Sequence, residues 1–358
     1  MERIQLFKTE TLFIVGAGAS KEANLPVGNE LKSIIAKSID IRFGGTGRQQ
    51  ESGDYEIMEA LRAHASMRST NENSRINVND YLHAGWRIRD AMPQASSIDT
   101  FIDSHDGDEG IETCGKLAIA KAILEAEKAS LLYVNHRRGD ERPSFERLGN
   151  TWYSRIWQAL TMERKRSELR DIFHNTGFIV FNYDRCIEHF FFHALQNFYG
   201  VNEGEAAKLS SSLRVHHPYG KVGDLPWQDG ELRVEFGASP RGQGLLAISK
   251  QIKTFTEQVD DAHTLNEMRA MIGAAKNLVF LGFGFHEQNM QLLRPVVPPS
   301  TKRVFATSKG ISSADRDVIE NEIAELYGPE IGERLPIHTR TQITCCDLFD
   351  EYWRSLMA

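Results

Sequence analysis

Thr11-Leu-Phe-Ile-Val-Gly16-Ala-Gly18-Ala-Ser20 is the stretch that decides the fold. A run of bulky apolar residues, two of them β-branched, ends abruptly at two glycines, as a buried parallel strand does where it enters a tight turn. Without Cβ atoms, Gly16 and Gly18 let the backbone turn sharply and approach a ligand. Amides at such a turn suit a pyrophosphate, which makes Gly16, Ala17, Gly18 and Ser20 candidate nucleotide contacts. The spacing is neither a P-loop, since no glycine precedes Lys21, nor the three-glycine dinucleotide fingerprint, whose third glycine is replaced by that lysine. By itself the motif is equally well read as an ordinary strand and turn.

Further along, apolar runs and helical periods alternate. Leu31, Ile34, Ile35 and Ile39 recur at helical spacing after Pro26 and Gly28, and Phe43–Gln50 forms a polar glycine-rich segment that reads as a linker. Residues from about 50 to 170 read as a helical block, including a helix over 145–160 with Trp152, Tyr153, Ile156, Trp157 and Leu160 on one face. Strands are predicted at 177–181, 214–217, 232–236, 277–283, 303–306 and 342–346, with helices following 185, 247, 265, 312 and 348. The expectation is an α/β fold: a Rossmann-like, mostly parallel sheet with helices on both faces and an inserted helical subdomain.

The 358 residues are 41% hydrophobic and 25% charged, an ordinary globular balance, with a net charge of −7. That charge provides no general attraction to nucleic acid or to an anionic membrane. No apolar run reaches about 18 residues and the first residues lack a signal-peptide core, so a cytoplasmic location is expected. Cys114, Cys186, Cys345 and Cys346 form no C-x-x-C pair, which argues against a zinc ribbon, and no metal is expected. Adjacent Cys345 and Cys346 read as buried thiols on opposite faces of a strand.

Three predicted strand ends carry polar residues where open α/β sheets hold ligands. They are the Gly16–Ser20 turn, Phe181-Asn182-Tyr183-Asp184, and Gly282-Phe-Gly284-Phe-His-Glu287-Gln-Asn289; Arg214-Val-His216-His217-Pro-Tyr219-Gly220-Lys221 lies between the last two. Singly each has a bland reading: Asp184, for one, is suited to capping the next helix. In this order they resemble the sirtuin-like NAD-consuming family, in its bacterial anti-phage defence branch. Gly16–Ser20 with Leu25-Pro26 looks like that family's nucleotide loop, Asn182-Tyr183-Asp184 its T-N-Y-D motif with Phe181 for threonine, 215–223 its H-x-H-G region, and 282–289 its late G-x-S-F-x-D motif. Most of 40–170 carries no such motif.

The resemblance implies NAD as substrate. Asn182 and His217 are then the catalytic candidates, and Gly16, Ala17, Gly18, Ser20, Asp184, Tyr219, Gly282, Gly284 and Glu287 the dinucleotide contacts. This chain departs from the family in having Tyr219 where the catalytic histidine usually stands, Gly284 for serine and Glu287 for aspartate. His217 is the substitute base: an imidazole suits proton transfer near neutral pH. Protein-deacylating sirtuins carry paired C-x-x-C zinc motifs, absent here, so water is the expected acceptor. The expected reaction is hydrolysis of the nicotinamide–ribose bond in defence by NAD depletion. Homo-oligomers, a hexameric DNA-translocase-like ATPase and an Argonaute-type protein are the partners the family implies. The alternatives are a non-catalytic NAD or ADP-ribose sensor, favoured by Tyr219, and a deacylase or ADP-ribosyl transferase.

Overall fold

The computed structural model describes residues 9–45, 49–69, 77–296, 299–332 and 334–357. Six parallel strands form one sheet: β1 (Thr11–Val15), β2 (Thr176–Val180), β3 (Arg214–His216), β4 (Asn277–Leu281), β5 (Arg303–Thr307) and β6 (Ile337–Arg340). Their spatial order is 3-2-1-4-5-6, the doubly wound dinucleotide-fold order, in which the strand order reverses beside β1. The α/β Rossmann-like architecture expected from the sequence is therefore present.

Strand alternation assigns the two faces. Leu12, Ile14, Leu278, Phe280, Val304 and Ala306 pack in one cluster with Met268 and Ile272 of the helix Ala262–Ala274 and Ile319 and Ile323 of Ser313–Glu325. On the other face Phe13 stacks on Phe178 and Phe349, with ring centroids 5.2 and 6.0 Å apart, and Phe178 meets Phe191. Phe191 belongs to the helix Cys186–Tyr199 and Phe349 to Cys345–Met357. β1, β2 and β4 are buried at every residue, as strands covered on both faces must be.

Two compact units share the chain: Met1–Leu25, Ser130–Pro218 and Gln258–Ala358 form the sheet unit, and Pro26–Ala129 with Tyr219–Glu257 a helical one. The helical block thus differs from the expected 50–170. Residues 130–170 go with the sheet because the apolar face of the helix Trp152–Thr161 is buried there: Trp152 Nε1 donates to the Ala19 carbonyl (3.0 Å), and Trp157 packs against Phe191. The helical unit is built around Glu109–Ala129, whose buried Lys121 pairs with Asp54, Glu56 and Glu125 at 2.9–3.5 Å.

Three local expectations are corrected. The last strand lies at 337–340, not 342–346, because Thr344 and Asp347 cap a helix instead: Asp347 Oδ2 accepts from the Thr344 amide (2.9 Å) and Thr344 Oγ1 accepts from the Asp347 amide (3.1 Å). Cys345 and Cys346 therefore open that helix, both buried and unbridged. Residues 232–236 form no strand; only an isolated bridge joins Asp224 to Arg233. Phe43–Gln50 is not a linker: Arg42–Phe43 pairs antiparallel with Gln50–Ser52, and residues 46–48 lie outside the described residues. Among the described residues no helix is long and apolar enough to cross a membrane.

Candidate functional site

At the carboxyl ends of β1 and β4 the two glycine turns are welded together. The Gly16 amide donates to the Leu281 carbonyl (2.9 Å) and the Gly18 amide to that of Gly282 (3.0 Å). Gly282 adopts φ 55°, and a Cβ there would sit 2.1 Å from the Ala19 nitrogen. At Gly16 a Cβ would come within 2.5 Å of the Gly282 carbonyl oxygen. Both glycines are required by this close approach of main chain to main chain. Thr307, ending β5, accepts the Gly282 amide on its Oγ1 at 2.8 Å.

One consequence concerns anion binding. After Gly16 the chain makes a single helical turn, Ala17–Ser20. The amides of Gly16 and Gly18 serve the weld, and that of Ala19 donates back to Gly16 at 3.1 Å. Fewer amides of this turn face a pyrophosphate than the motif alone implies.

Beside the weld lies a cavity of about 410 Å³. Gly18, Gly282 and Gly284 give it a main-chain wall, Phe283, Ile311 and Ile343 an apolar one, and Lys21, Glu22, Ser308 and Lys309 a polar rim. Its size and mixed lining suit part of a dinucleotide, and it sits at the strand-order reversal, where open α/β sheets place their ligands. Glu22 is structural as well. Its carboxylate accepts the amides of Trp152 (2.7 Å) and Cys346 (2.9 Å), which lie in the first turns of two helices. Burial pushes its carboxyl above the usual range, against the lowering effect of those amides.

The turn after β2 meets the same loop by side chains. Ser20 Oγ donates to Asp184 Oδ2 at 2.8 Å, and Asn182 Nδ2 donates to both Asp184 Oδ2 and Ser20 Oγ, the latter at 3.4 Å. Asn182 Oδ1 accepts the Tyr183 amide, and Asp184 Oδ1 accepts the Cys186 amide at 3.0 Å. Asp184 thus joins the turns and caps the helix Cys186–Tyr199 at once. Ser20, Asn182 and Asp184 are all buried.

His217 follows β3 and belongs to the same network. Its Nδ1 donates to the Asn182 carbonyl (3.1 Å), and its Nε2 faces Glu188 Oε1 at 3.1 Å. Both ring nitrogens are thus taken by protein partners, and neither faces an incoming water.

The structure therefore brings Gly16, Ala17, Gly18, Ser20, Asn182, Asp184, His217, Gly282 and Gly284 into one region of the sheet unit. Ser20, Asn182, Asp184 and His217 do not line the cavity. Glu287 begins the short helix Glu287–Leu292, exposed and outside the cavity lining. Tyr219 lies in the helical unit; its carbonyl accepts the Lys253 amide (2.9 Å), and burial raises its phenol well above the ordinary value. Sequence reasoning missed Glu22, Glu188, Ser308 and Lys309. Ser308-Lys309 directly follows a strand as the other motifs do, and Glu188 lies in the first turn of the helix that Asp184 precedes.

The sequence matches no protein-family model and no curated protein.

Proposed function

We propose that this chain binds NAD at the β1–β4 reversal and hydrolyses its nicotinamide–ribose bond. The observation that carries the reading is the weld of two glycine turns beside a 410 Å³ cavity at that reversal, with Asn182 hydrogen-bonded to Ser20 of the same loop. The motif order described above supplies the choice of NAD among nucleotides.

In this mechanism the C1′–N bond breaks and nicotinamide leaves as a neutral molecule. The ribose passes through an oxocarbenium-like state, water adds to C1′, and its proton goes to solvent. Because the electrophile is already cationic, little base strength is required, and the protein acts by holding the ribose and admitting one water. Asn182 is the residue we assign to the ribose hydroxyls or the water; its amide must exchange Ser20 or Asp184 for the ligand. The cavity would receive the adenosine side. A role in anti-phage defence, homo-oligomerisation, and pairing with a translocase-type ATPase or an Argonaute-type protein rest on the resemblance.

The test is purified full-length chain incubated with NAD, with nicotinamide and ADP-ribose followed by chromatography and NAD binding by calorimetry. Asn182→Ala should lower turnover by about 100-fold or more while the fold persists, the scale set by losing a positioned hydrogen-bonding group in the transition state. Absence of NAD binding would overturn the reading. A second reading, a nucleotide sensor without turnover, is favoured by the engagement of Asn182 and His217 with protein partners. Binding without nicotinamide release, in the presence of candidate partners as well, would select it.

A further inference from the structure

Glu188 and His217 link the helix Cys186–Tyr199 to the turn that carries Asn182. The Glu188 and His217 side chains are 4% and 6% exposed, so the contact is shielded from water. At one end His217 Nδ1 meets a carbonyl oxygen, which can only accept; at the other, Nε2 meets a carboxyl oxygen at 3.1 Å. With Glu188 ionised, a neutral imidazole has one donor and satisfies one of the two acceptors. A ring protonated on both nitrogens satisfies both, and its charge is matched by the carboxylate.

We propose that Glu188 and His217 form a carboxylate–imidazolium clamp that positions Asn182 through its main-chain carbonyl, His217 acting as a double donor and not as the proton acceptor. Glu188 acts through His217 and is a positioning residue. The inference rests on the reading of Asn182 as the ribose-facing group, but the clamp itself is tested without turnover.

The experiment has two arms on the full-length chain. In the first, long-range ¹H–¹⁵N spectra of the wild type at neutral pH are assigned by comparison with His217→Asn. A proton on each ring nitrogen of His217 is expected, and a ring protonated on one nitrogen only overturns the clamp. In the second, nicotinamide release is measured against pH. His217→Ala and Glu188→Ala should each lower kcat/KM by about tenfold or more, the usual cost of leaving a buried polar partner unmet. The double variant should be no slower than either single one, since the pair acts as a unit. His217→Asn, whose amide reaches the Asn182 carbonyl but takes no proton, and Glu188→Gln should each recover most of that loss. Should His217→Asn fold, bind NAD and be as slow as His217→Ala with the acid limb of the profile removed, His217 is the base and the clamp is wrong. If the wild type binds NAD but releases no nicotinamide, hydrolysis fails while the first arm still judges the clamp.

Discussion

On the β4 side of β1 the two turns meet through main chain, amide to carbonyl, with glycines where any side chain would collide. On the β2 side they meet through side chains, with Ser20, Asn182 and Asp184 sharing one carboxyl oxygen. The first arrangement leaves a cavity open beside it; the second fills its own space and engages the groups that would do chemistry. Main-chain contacts are set by backbone conformation and depend on no side-chain rotamer. Side-chain contacts can exchange partners, which is the property a reacting site needs.

The largest effect should come from breaking the main-chain weld. Gly282→Ala places a Cβ against the Ala19 nitrogen at positive φ. A loss on the order of 4 kcal/mol, or failure to fold, is expected from such a backbone clash, read by chemical denaturation. A stable Gly282→Ala protein would show that the weld is not rigid.

Acid should act on the other side. Behind the side-chain wall, the helix Cys186–Tyr199 carries His189, whose Nε2 donates to the Leu132 carbonyl at 3.1 Å, and His193, with rings 4.5 Å apart. Burial holds both below the ordinary value of 6.5, His189 well below and His193 at about 4, with the neighbouring histidine and arginines acting in the same direction. The folded state thus keeps them neutral while the unfolded chain takes up protons. Their contribution is present above about pH 6.5 and is lost as pH falls toward 4, by up to about 1.4 kcal/mol per pH unit for each ring. Denaturation midpoints measured across that range should fall, and His193→Gln should flatten the slope. An unchanged slope would remove these histidines from the account.

A smaller loss is expected from Ser20→Ala, which takes one donor from the buried Asp184 carboxylate: about 2 kcal/mol, measured by denaturant titration. A cost near zero would mean that Asn182 alone satisfies that oxygen. Smallest of all, Glu287→Ala alters an exposed residue outside both walls and should shift stability by less than about 0.5 kcal/mol. A marked loss of NAD affinity in that variant would extend the main-chain wall to the helix Glu287–Leu292.

Much of the sheet was legible in advance because β1, β2 and β4 are continuous apolar runs ending in glycine or in Asn-Tyr-Asp, and burial on both faces leaves such runs few other structures. The last strand was misplaced because Gln342–Cys346 has strand-like composition, while the Thr344–Asp347 cap that turns it into a helix is a hydrogen-bonding pattern outside hydropathy. Gly16, Gly18, Gly282 and Asn182 were legible as candidates, each lying just past a strand. The engagement of His217 by Glu188 was not, because 29 residues separate them in the chain and only the parallel pairing of β2 with β3 makes them neighbours.

Local chemistry is therefore what the sequence determined: where strands end, which residues tolerate a tight turn, and which groups stand at those ends. Only the tertiary structure decided which of those groups face a cavity and which face one another. Hydrogen-bond partnership depends on distances of about 3 Å between residues far apart in sequence, and no pattern within a single strand or helix encodes it.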